Sequence, residues 1–514
     1  MFVTQCVRRC AVLMPDKPAL VYGNRTTTFG ELADRVARCA GGLLQRGLGT
    51  GERVAILSLN SDRVLELMYG SVWASGVPHN VNIRWALPEQ AYAIDDSGAT
   101  MLAVDRNFLD RLPALRAQCP SVKQVIYLGG GAAPEGMISY EALVAEGQPV
   151  ADHCSDPDAM AFLNYTGGTT GLSKGVMLTH AGLMAAVPII LTERFVVPGE
   201  KTAFMLPLFH IGGVLQPLAS LLVGNTTVLI PAFVPLDAIK LIAEQRIEQL
   251  FLVPAMIQLM VDHPEFDQYD LSCVKHIGYG GSPISEALVG RIRAKLPQAH
   301  LKQIYGQTEG LPATILPDAD HNQGNGRLRS AGRPSPGVEI RIVDGNGNDV
   351  AATEIGEIAI RGPHLMAGYW NKPEQTDKAL KGGWLHTGDA GYLDRDGYLY
   401  VVDRVKDMVV TGGENVYSAE VENALAKHPA VAQCAVIAIP DAKWGELVHA
   451  VIALAPGAMV TGEELQSHCR ELIANYKLPR SFEFMDSLPL TPVGKVNKVA
   501  LREPHWQGRE RRVG

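Results

Sequence analysis

The chain has 514 residues, of which 47% are hydrophobic and 19% are charged. This length exceeds what one hydrophobic core usually serves, so we expect at least two domains, and the composition excludes an intrinsically disordered chain. The formal net charge of -8 argues against a nucleic-acid-binding surface as the main function and favours a small charged partner.

The cysteines and the apolar runs indicate the compartment. The eight cysteines are scattered without a C-x-x-C pair or a zinc-like spacing, so we expect reduced thiols in a reducing environment. Arg8 and Arg9 precede an apolar run that is too short for a signal peptide, and the apolar run at residues 211–224 is too short to span a membrane. We therefore predict a cytoplasmic protein without a transmembrane segment.

Short apolar runs alternate with helical patterns between about residue 20 and residue 310. Helical patterns at residues 236–245 and 284–296 separate several of the runs. The predicted strands are residues 54–59, 159–163, 202–208, 226–230, 249–253, 274–279 and 301–305. This alternation predicts parallel sheets covered by helices, in which ligands bind beyond the carboxyl ends of the strands.

The pattern changes after Ser330. Apolar and polar residues alternate before the turn at residues 344–347, and a second turn at residues 394–397 joins two further predicted strands, so we expect a small β-rich subdomain over about residues 330–403. The segments that follow predict a compact α+β domain. They are a helix at 418–427, strands at 435–439 and 449–454, a helix at 462–475 and a strand at 481–485.

We therefore predict an α/β protein with a large N-terminal domain of helix-covered sheets, residues 1–403, and a small C-terminal α+β domain, residues 404–514. The β-rich subdomain belongs to the first of these. The charged segment at residues 403–407 is the predicted boundary.

A segment rich in glycine and threonine, residues 165–175, follows the predicted strand at residues 159–163. Glycines allow the backbone to turn its N–H groups toward an anion, and hydroxyls and a lysine add donors and positive charge. Those side chains are Thr166, Thr169, Thr170 and Lys174. The segment predicts a phosphate-binding loop, with a flexible surface turn as the alternative. It is not a Walker A loop, because Ser173 stands where that pattern has glycine.

Seven further motifs follow this loop or lie around it in a fixed order. They are Pro-Leu-Phe-His at 207–210, Tyr-Gly-Gly-Ser-Pro at 279–283, Tyr-Gly-Gln-Thr-Glu at 305–309, Gly-Glu-Ile at 356–358, Trp-Leu-His-Thr-Gly-Asp at 384–389, Asp-Arg-Val-Lys-Asp at 403–407 and Leu-Thr-Pro-Val-Gly-Lys at 490–495. Together the eight motifs resemble the adenylate-forming superfamily over nearly the whole chain. That superfamily includes acyl- and aryl-CoA synthetases, adenylation domains of peptide synthetases and firefly luciferase.

The resemblance implies a two-step reaction. A carboxylate attacks the α-phosphate of ATP with release of pyrophosphate, and a thiol then captures the acyl-adenylate. We predict an AMP-forming carboxylate-CoA ligase that acts on a medium- or long-chain fatty acid and requires ATP, Mg²⁺ and coenzyme A. Because both reactants are negatively charged, such an enzyme must neutralise charge and align the attack.

The resemblance also assigns residues to ATP and to the metal. The implied ATP-binding residues are Thr166, Gly167, Gly168, Thr169, Thr170, Gly171, Lys174, Gly280, Gly281, Ser282, Tyr305, Gly306, Thr308, Asp389, Arg404 and Lys495. Glu309 and Thr170 would hold Mg²⁺, since this hard cation takes oxygen ligands, and Asp389 and Arg404 would hold the ribose. The implied catalytic residues are Thr308, Glu309, Lys406 and Lys495.

The remaining assignments concern the acyl group, the thiol and domain movement. The small domain would be mobile and would rotate about Lys406 between the two steps. The implied acyl-site residues are His210, Gly280 and Gly306, and the implied coenzyme A residues are Gly412, Gly413, Trp444 and Arg480. Taken singly, His210 and Trp444 are equally compatible with ordinary packing.

Two positions depart from the superfamily's usual pattern. Gly167 stands where relatives commonly have Ser or Thr, and Ser173 stands where Pro is common, so we expect these departures to affect the affinity for ATP more than the reaction type. Four alternatives stay open: an aryl- or cinnamate-type CoA ligase such as feruloyl-CoA synthetase, an enzyme that loads a carrier-protein thiol, a non-catalytic nucleotide- or acyl-binding protein and, remotely, a luciferase-like oxygenase. The expected partners are small molecules and not nucleic acid, and a homodimer is left open.

Overall fold

The computed structural model describes residues 1–166, 173–282, 284–321, 326–404, 407–411, 414–441, 444–490 and 496–507, with only the backbone described at 403, 404, 414 and 415. Contacts divide the chain into two compact units. The first unit is Met1–Ile340 with Ile360–Leu385, and the second unit is Arg341–Ala359 with His386–Gly514. The domain boundary at residues 403 and 404 stays a prediction.

All strands described up to residue 338 belong to the first unit. In chain order they are β1 (Pro18–Tyr22), β2 (Arg25–Thr28), β3 (Arg53–Leu57), β4 (Val77–Asn80), β5 (Met101–Val104), β6 (Gln124–Tyr127), β7 (Ile138–Ser139), β8 (Met160–Thr166), β9 (Lys174–Thr179), β10 (Thr202–Phe204), β11 (Thr227–Leu229), β12 (Gln249–Leu252), β13 (His276–Gly280), β14 (His300–Gln307), β15 (Gly310–Leu316) and β16 (Arg333–Pro334).

The later strands lead through the unit boundary into the second unit. They are β17 (Glu339–Val343), β18 (Gly356–Arg361), β19 (Gly368–Tyr369), β20 (Leu380–Lys381), β21 (Trp384–Leu393), β22 (Leu399–Arg404), β23 (Val409–Thr411), β24 (Glu414–Val416), β25 (Val431–Asp441), β26 (Gly445–Leu454) and β27 (Ser481–Met485).

The helices alternate with these strands as the sequence predicts. The α-helices are α1 (Gln5–Leu13), α2 (Phe29–Gln45), α3 (Asp62–Trp73), α4 (Leu87–Ser97), α5 (Leu112–Gln118), α6 (Tyr140–Glu146), α7 (His180–Thr192), α8 (Ile211–Leu222), α9 (Pro235–Gln245), α10 (Pro254–Val261), α11 (Glu286–Lys295), α12 (Pro373–Ala379), α13 (Ser418–Leu425), α14 (Gly462–Arg470) and α15 (Lys498–Trp506). Short 3₁₀ helices lie at Arg106–Arg111, Phe266–Gln268, Asp318–His321, Arg327–Arg329 and Asn475–Lys477.

Three sheets belong to the first unit. Among the described residues, one has nine strands in the order β16-β15-β14-β13-β12-β10-β11-β1-β2, and its interior pairs from β14 to β1 are parallel. A second, with the order β4-β3-β5-β6-β7, is parallel throughout. The third is the antiparallel sheet β19-β9-β8. The predicted helix-covered parallel sheets are therefore confirmed.

The C-terminal part of the second unit is an α+β arrangement. Its sheet has the order β24-β23-β26-β25 with β27 added in parallel to β26, and a buried apolar cluster that includes Val436, Val448 and Leu465 lies on one face. The predicted hairpin around residues 394–397 is confirmed as the antiparallel pair β21 and β22. The helix predicted at residues 462–475 ends at Arg470 instead, and a separate 3₁₀ turn follows.

Most of the apolar run at residues 211–224 forms α8, Ile211–Leu222, a largely buried helix of the first unit. Among the described residues, no helix combines the length and the apolar character that crossing a membrane requires. All eight cysteines are free thiols, as predicted.

Candidate active site

The antiparallel sheet β19-β9-β8 brings Lys174 and Tyr369 together. Lys174 begins β9 opposite Thr166, and Tyr369 on β19 lies opposite Val176 on β9. Residues two apart in a strand share a face, so the side chains of Lys174 and Tyr369 meet diagonally across the pair. The ammonium nitrogen of Lys174 lies 4.2 Å from the centre of the Tyr369 ring, which is a cation–π contact.

The hydroxyl group of Tyr369 forms a hydrogen bond with Glu309. This residue lies in the turn between β14 and β15 and is only 7% exposed. The Tyr369 hydroxyl donates to Oε1 of Glu309 at 2.8 Å, and the Met366 N–H donates to the Glu309 carbonyl oxygen at 2.9 Å. A buried carboxylate requires such a donor. We call these three residues the Lys174–Tyr369–Glu309 cluster.

The chemistry of this cluster suits an anion accompanied by a divalent cation. Lys174 supplies a positive charge beside the predicted phosphate loop, and Glu309 supplies hard carboxylate oxygen. Mg²⁺ is usually held by one or two carboxylates together with substrate phosphates, so the residues present fit this ion. Glu309 would hold it. The sequence analysis identified both charged residues but missed Tyr369, which belongs to none of the eight motifs.

Glycines at the end of β13 allow a close approach of the neighbouring strand and a left-handed turn. Gly280 ends β13 opposite Ile304 on β14, and a Cβ at Gly280 would approach the Ile304 side chain and carbonyl oxygen to 2.6 Å. Gly281 has φ +80°, a left-handed conformation that favours glycine. Ser282 follows directly. Ile304 is in turn followed by the half-buried Tyr305 near the end of β14, so these two predicted ATP-binding segments lie at the carboxyl ends of neighbouring strands.

A small cavity of about 10 Å³ lies beside Thr308. Its walls are mainly aliphatic side chains of α7, α8 and the loops around them. The lining residues are Leu178, Thr179, Gly182, Leu183, Ala186, Ile211, Leu215, Thr308, Leu311, His364 and Leu365. Gly306 lies against the same loop, since a Cβ there would approach Leu311 Cδ1 to 2.7 Å. His210 is the residue before α8, and its ring centre lies 4.5 Å from that of Phe209.

His364 is the unusual member of this lining. It is 5% exposed, and neither of its ring nitrogens has a hydrogen-bond partner within the described ranges. Burial lowers the pKa of His364 to about 4, because the charged imidazolium would lose its hydration. The ring is therefore a neutral polar group beside Thr308. Sequence reasoning did not identify it, because a single histidine in a loop carries no chemical pattern.

Asp389 is held in place within the second unit. It lies on β21 opposite Arg404 of β22 and is 8% exposed. Its N–H donates to Thr387 Oγ1 at 3.1 Å, and the Thr387 hydroxyl donates to the Ile358 carbonyl oxygen at 2.8 Å. The backbone around Asp389 is thus fixed by a buried threonine.

Glu357, in the Gly-Glu-Ile motif, holds the backbone of the residues that precede Asp389. Its Oε1 accepts from the Gly388 N–H at 3.0 Å, and its Oε2 lies 2.8 Å from Nδ1 of His386. Gly388 has φ +71°, so the turn depends on glycine as well as on this carboxylate. Glu357 is therefore a positioning residue for the segment that carries Asp389.

The two described residues predicted to bind coenzyme A lie against each other. The guanidinium carbon of Arg480 lies 4.5 Å from the centre of the Trp444 ring. The Trp444 N–H donates to Asp441 Oδ1 at 2.8 Å, and the Arg480 N–H donates to the Val448 carbonyl oxygen at 2.9 Å. An exposed arginine over a half-buried indole is a surface that can receive a planar, negatively charged ligand.

Several predicted site residues lie outside the described residues. These are Gly167, Gly168, Thr169, Thr170, Gly171, Lys406, Gly412, Gly413 and Lys495, together with the side chain of Arg404. The described predicted residues divide between the units. The first unit carries Thr166, Lys174, His210, Gly280, Gly281, Ser282, Tyr305, Gly306, Thr308 and Glu309, and the second unit carries Asp389, Trp444 and Arg480.

Comparison with protein families gives two matches. The model described as "AMP-binding enzyme" matches residues 7–370, and the model described as "AMP-binding enzyme C-terminal domain" matches residues 420–495. Together the two matches include most of the chain.

Similar proteins of known activity cover nearly the full length. A fatty acid–[acyl-carrier-protein] ligase of Streptomyces coeruleorubidus is 36% identical, over 97% of this chain and 95% of its own. A medium/long-chain-fatty-acid–CoA ligase of Mycobacterium tuberculosis is 37% identical, over 97% and 89%. A feruloyl-CoA synthase of Amycolatopsis is also 37% identical, over 96% and 97%. Among solved structures, an amide bond synthetase of Marinactinospora thermotolerans is similar with a TM-score of 0.88 and 30% identity, over 98% of this chain and 99% of that one.

The buried His364 generates a prediction about pH. Because its pKa is about 4 in the folded state against about 6.5 when exposed, the unfolded chain binds the extra proton first, and stability falls as the pH decreases from 6.5 to 4. We expect His364→Asn to remove up to about 3 kcal/mol of this loss. Chemical unfolding at several pH values measures it, with the exposed His300→Asn as a surface control. Identical pH profiles for His364→Asn and the wild type would contradict the assignment.

Proposed function

Because the chain belongs to the family of AMP-binding enzymes, we propose that it joins a medium- or long-chain fatty acid to coenzyme A. It is an AMP-forming ligase, and ATP, Mg²⁺ and coenzyme A fit its family. The observation that carries the catalytic part of the proposal is the Lys174–Tyr369–Glu309 cluster, in which a cation for phosphate and a carboxylate for Mg²⁺ are held by one tyrosine.

In the first step, a carboxylate oxygen of the fatty acid bonds to the α-phosphorus of ATP while the bond from that phosphorus to pyrophosphate breaks. We assign Lys174 to the pyrophosphate side and Glu309 to Mg²⁺. When bound, Mg²⁺ would supply positive charge that offsets the negative charge of the phosphates. Lys495 is assigned to the carboxylate and the α-phosphate, where one charge donor lowers the barrier by electrostatic stabilisation.

In the second step, the thiol sulfur bonds to the acyl carbon, AMP leaves with the electrons of the acyl–phosphate bond, and the thiol proton is released. We assign Asp389 to the ribose hydroxyls throughout, and its fixed backbone beside Thr387 supports that role. Lys406 is assigned to the hinge. Gly412 and Gly413 are assigned to the passage for the thiol arm, where a Cβ would obstruct the approach.

The stacked pair of Trp444 and Arg480 supports free coenzyme A as the acceptor. Coenzyme A carries an adenine and phosphates, which match an indole and a guanidinium, whereas the arm of a carrier protein carries no adenine. One relative uses an acyl-carrier protein and another uses CoA, so a carrier-protein thiol is the second candidate.

The medium/long-chain-fatty-acid–CoA ligase among the relatives supports a fatty acid as the substrate. Because another relative is a feruloyl-CoA synthase, an aromatic acid is the alternative substrate. Pyrophosphate release with a panel of saturated fatty acids, cinnamate and ferulate tests this, and turnover of the aromatic acids alone would overturn the fatty-acid assignment.

The metal assignment predicts a changed Mg²⁺ requirement. Glu309→Gln keeps the shape but lowers the negative charge, so we expect the Mg²⁺ concentration for half-maximal adenylation to rise roughly 10- to 100-fold. Tyr369→Phe removes the hydroxyl that orients the carboxylate and should give a smaller rise in the same direction. The exposed Glu286→Gln is the matched control. An unchanged Mg²⁺ dependence of Glu309→Gln would remove this residue from the metal site.

The acceptor assignment predicts a selective effect on coenzyme A. Stacking of a base on an aromatic ring contributes about 1–3 kcal/mol, and displacement of Arg480 from the ring offsets part of it, so Trp444→Ala should raise KM for coenzyme A by up to about tenfold. It should leave pantetheine, which lacks the nucleotide, unaffected. Trp384→Ala is a matched control, because the Trp384 ring also carries an arginine guanidinium at 4.4 Å. Equal losses with both thiols would indicate a structural role for Trp444.

The two-step mechanism predicts that two variants separate the half-reactions. Lys495→Ala should lose adenylation by roughly 10²- to 10³-fold, the scale for one preorganised charge donor, yet still convert supplied acyl-adenylate and coenzyme A to thioester. Gly413→Leu should retain acid-dependent ATP–pyrophosphate exchange and lose thioester formation. Each half-reaction is assayed alone on each variant. If both variants impair both halves equally, rotation of the small domain is the wrong account.

A further inference from the structure

Three potential metal ligands converge on the C-terminal sheet of the second unit, at side chains to which the catalytic assignments give no role. His449 lies on β26, Glu483 on β27 and His505 on α15. In the parallel pair of β26 and β27, His449 lies opposite Ser481, two residues before Glu483. The alternation of side chains along a strand therefore places Glu483 on the same face as His449.

Helix α15 covers that face. Val451, which shares the face with His449, belongs to one buried apolar cluster with Leu501 of α15. The Trp506 indole N–H donates to the Ala438 carbonyl oxygen of β25 at 2.9 Å, which fixes the end of the helix on the sheet. His505 lies one helical turn after Leu501 and so reaches the same surface.

The ligand atoms of the three side chains lie close together without bonding one another. Glu483 Oε2 is 3.6 Å from His449 Nε2 and 3.9 Å from His505 Nε2, and all three ligand atoms lie within 4.8 Å of one another. These separations are too long for hydrogen bonds. A tetrahedral zinc ion with bonds of about 2.0–2.1 Å spaces its ligand atoms by about 3.4 Å, so a small contraction would close the set around one ion.

The ring of His449 is oriented by a hydrogen bond at Nδ1, as is typical of histidines that bind a metal through Nε2. Nδ1 of His449 lies 2.9 Å from Ser481 Oγ, and the tautomer that donates this hydrogen bond turns the lone pair of Nε2 toward Glu483. Nε2 is buried and has no hydrogen-bond partner among the described residues, and the His449 side chain is only 4% exposed. Histidine ligands usually donate their second ring N–H to such a partner.

We propose that His449, Glu483 and His505 bind one Zn²⁺ ion, with water as the fourth ligand. Two imidazoles and one carboxylate are ligands that zinc commonly takes. Glu483 is 47% exposed and His505 is 29% exposed, which leaves a side open to the entering ion and to water. The ion links α15 to β26 and β27, and so fixes the helix that follows Lys495 in the sequence. The proposal is independent of the catalytic assignments.

Zinc binding is tested on the full chain after removal of metal with a chelator and dialysis. We expect competition with a chromogenic zinc chelator to show one tight site per chain, and Co²⁺ to give the visible absorption of tetrahedral coordination. His505→Gln and Glu483→Gln each remove one ligand and should weaken binding at least about 100-fold, while Ser481→Ala should weaken it about 10- to 100-fold. Zinc should raise the Tm of the wild type and leave that of His505→Gln unchanged.

The matched control is His428→Gln. His428 and His468 form a second histidine pair in the same unit with ring centres 5.1 Å apart, the same separation as His449 and His505. His468 Nε2 lies 3.2 Å from the Ala424 carbonyl oxygen, and no described carboxylate completes a metal group there. His428→Gln should therefore bind zinc like the wild type. The absence of a tight site, or equal affinity in the wild type, His505→Gln and Glu483→Gln, would overturn the proposal.

Discussion

A carboxylate that is withdrawn from water has to receive a hydrogen bond, and Glu309 receives it from a phenol. Tyr369 uses its hydroxyl for this carboxylate and its ring face for the Lys174 ammonium. Between these two described charged side chains there is no ion pair. A direct pair would let each charge neutralise the other, whereas the intervening ring leaves the lysine charge for an anion and the carboxylate for a cation. The position of Tyr369 follows from its register opposite Val176 on β9.

The alternation of strands and helices was predictable because buried parallel strands are continuous apolar runs and turn residues separate them. The eight ordered motifs likewise identified Lys174, Glu309 and Asp389 as candidate site residues, and their roles stay predictions. The sequence did not predict Tyr369 or His364, because each reaches its neighbours through packing over a long chain separation and belongs to no pattern of charged residues. The predicted helix at residues 462–475 ran too far, since apolar spacing continues beyond Arg470 although the chain leaves the helix there. Local pattern therefore indicated the charged groups, and tertiary packing supplied their partners.

In the second unit, the position of Asp389 depends on neighbouring residues that have no assigned contact with the nucleotide. The Thr387 hydroxyl accepts a hydrogen bond from the Asp389 N–H, and the Glu357 carboxylate accepts one from the Gly388 N–H in the preceding turn. Both partners lie within motifs that are easily taken for catalytic signatures. Each forms a hydrogen bond with a backbone group near Asp389, so each acts on the path of the chain. A substitution at Glu357 would thus displace Asp389 without changing any group assigned to the nucleotide.

The guanidinium of Arg480 already lies over the Trp444 ring. A planar ligand that stacks on the same face has to exchange places with this side chain, so its binding free energy reflects the difference between two stacking interactions and not the whole of one. The displaced arginine remains beside the ligand, where its charge can meet a phosphate. Binding of coenzyme A at this surface, as proposed, would therefore exchange one stacking partner of Trp444 for another, and it would favour ligands that offer both an aromatic plane and a negative charge.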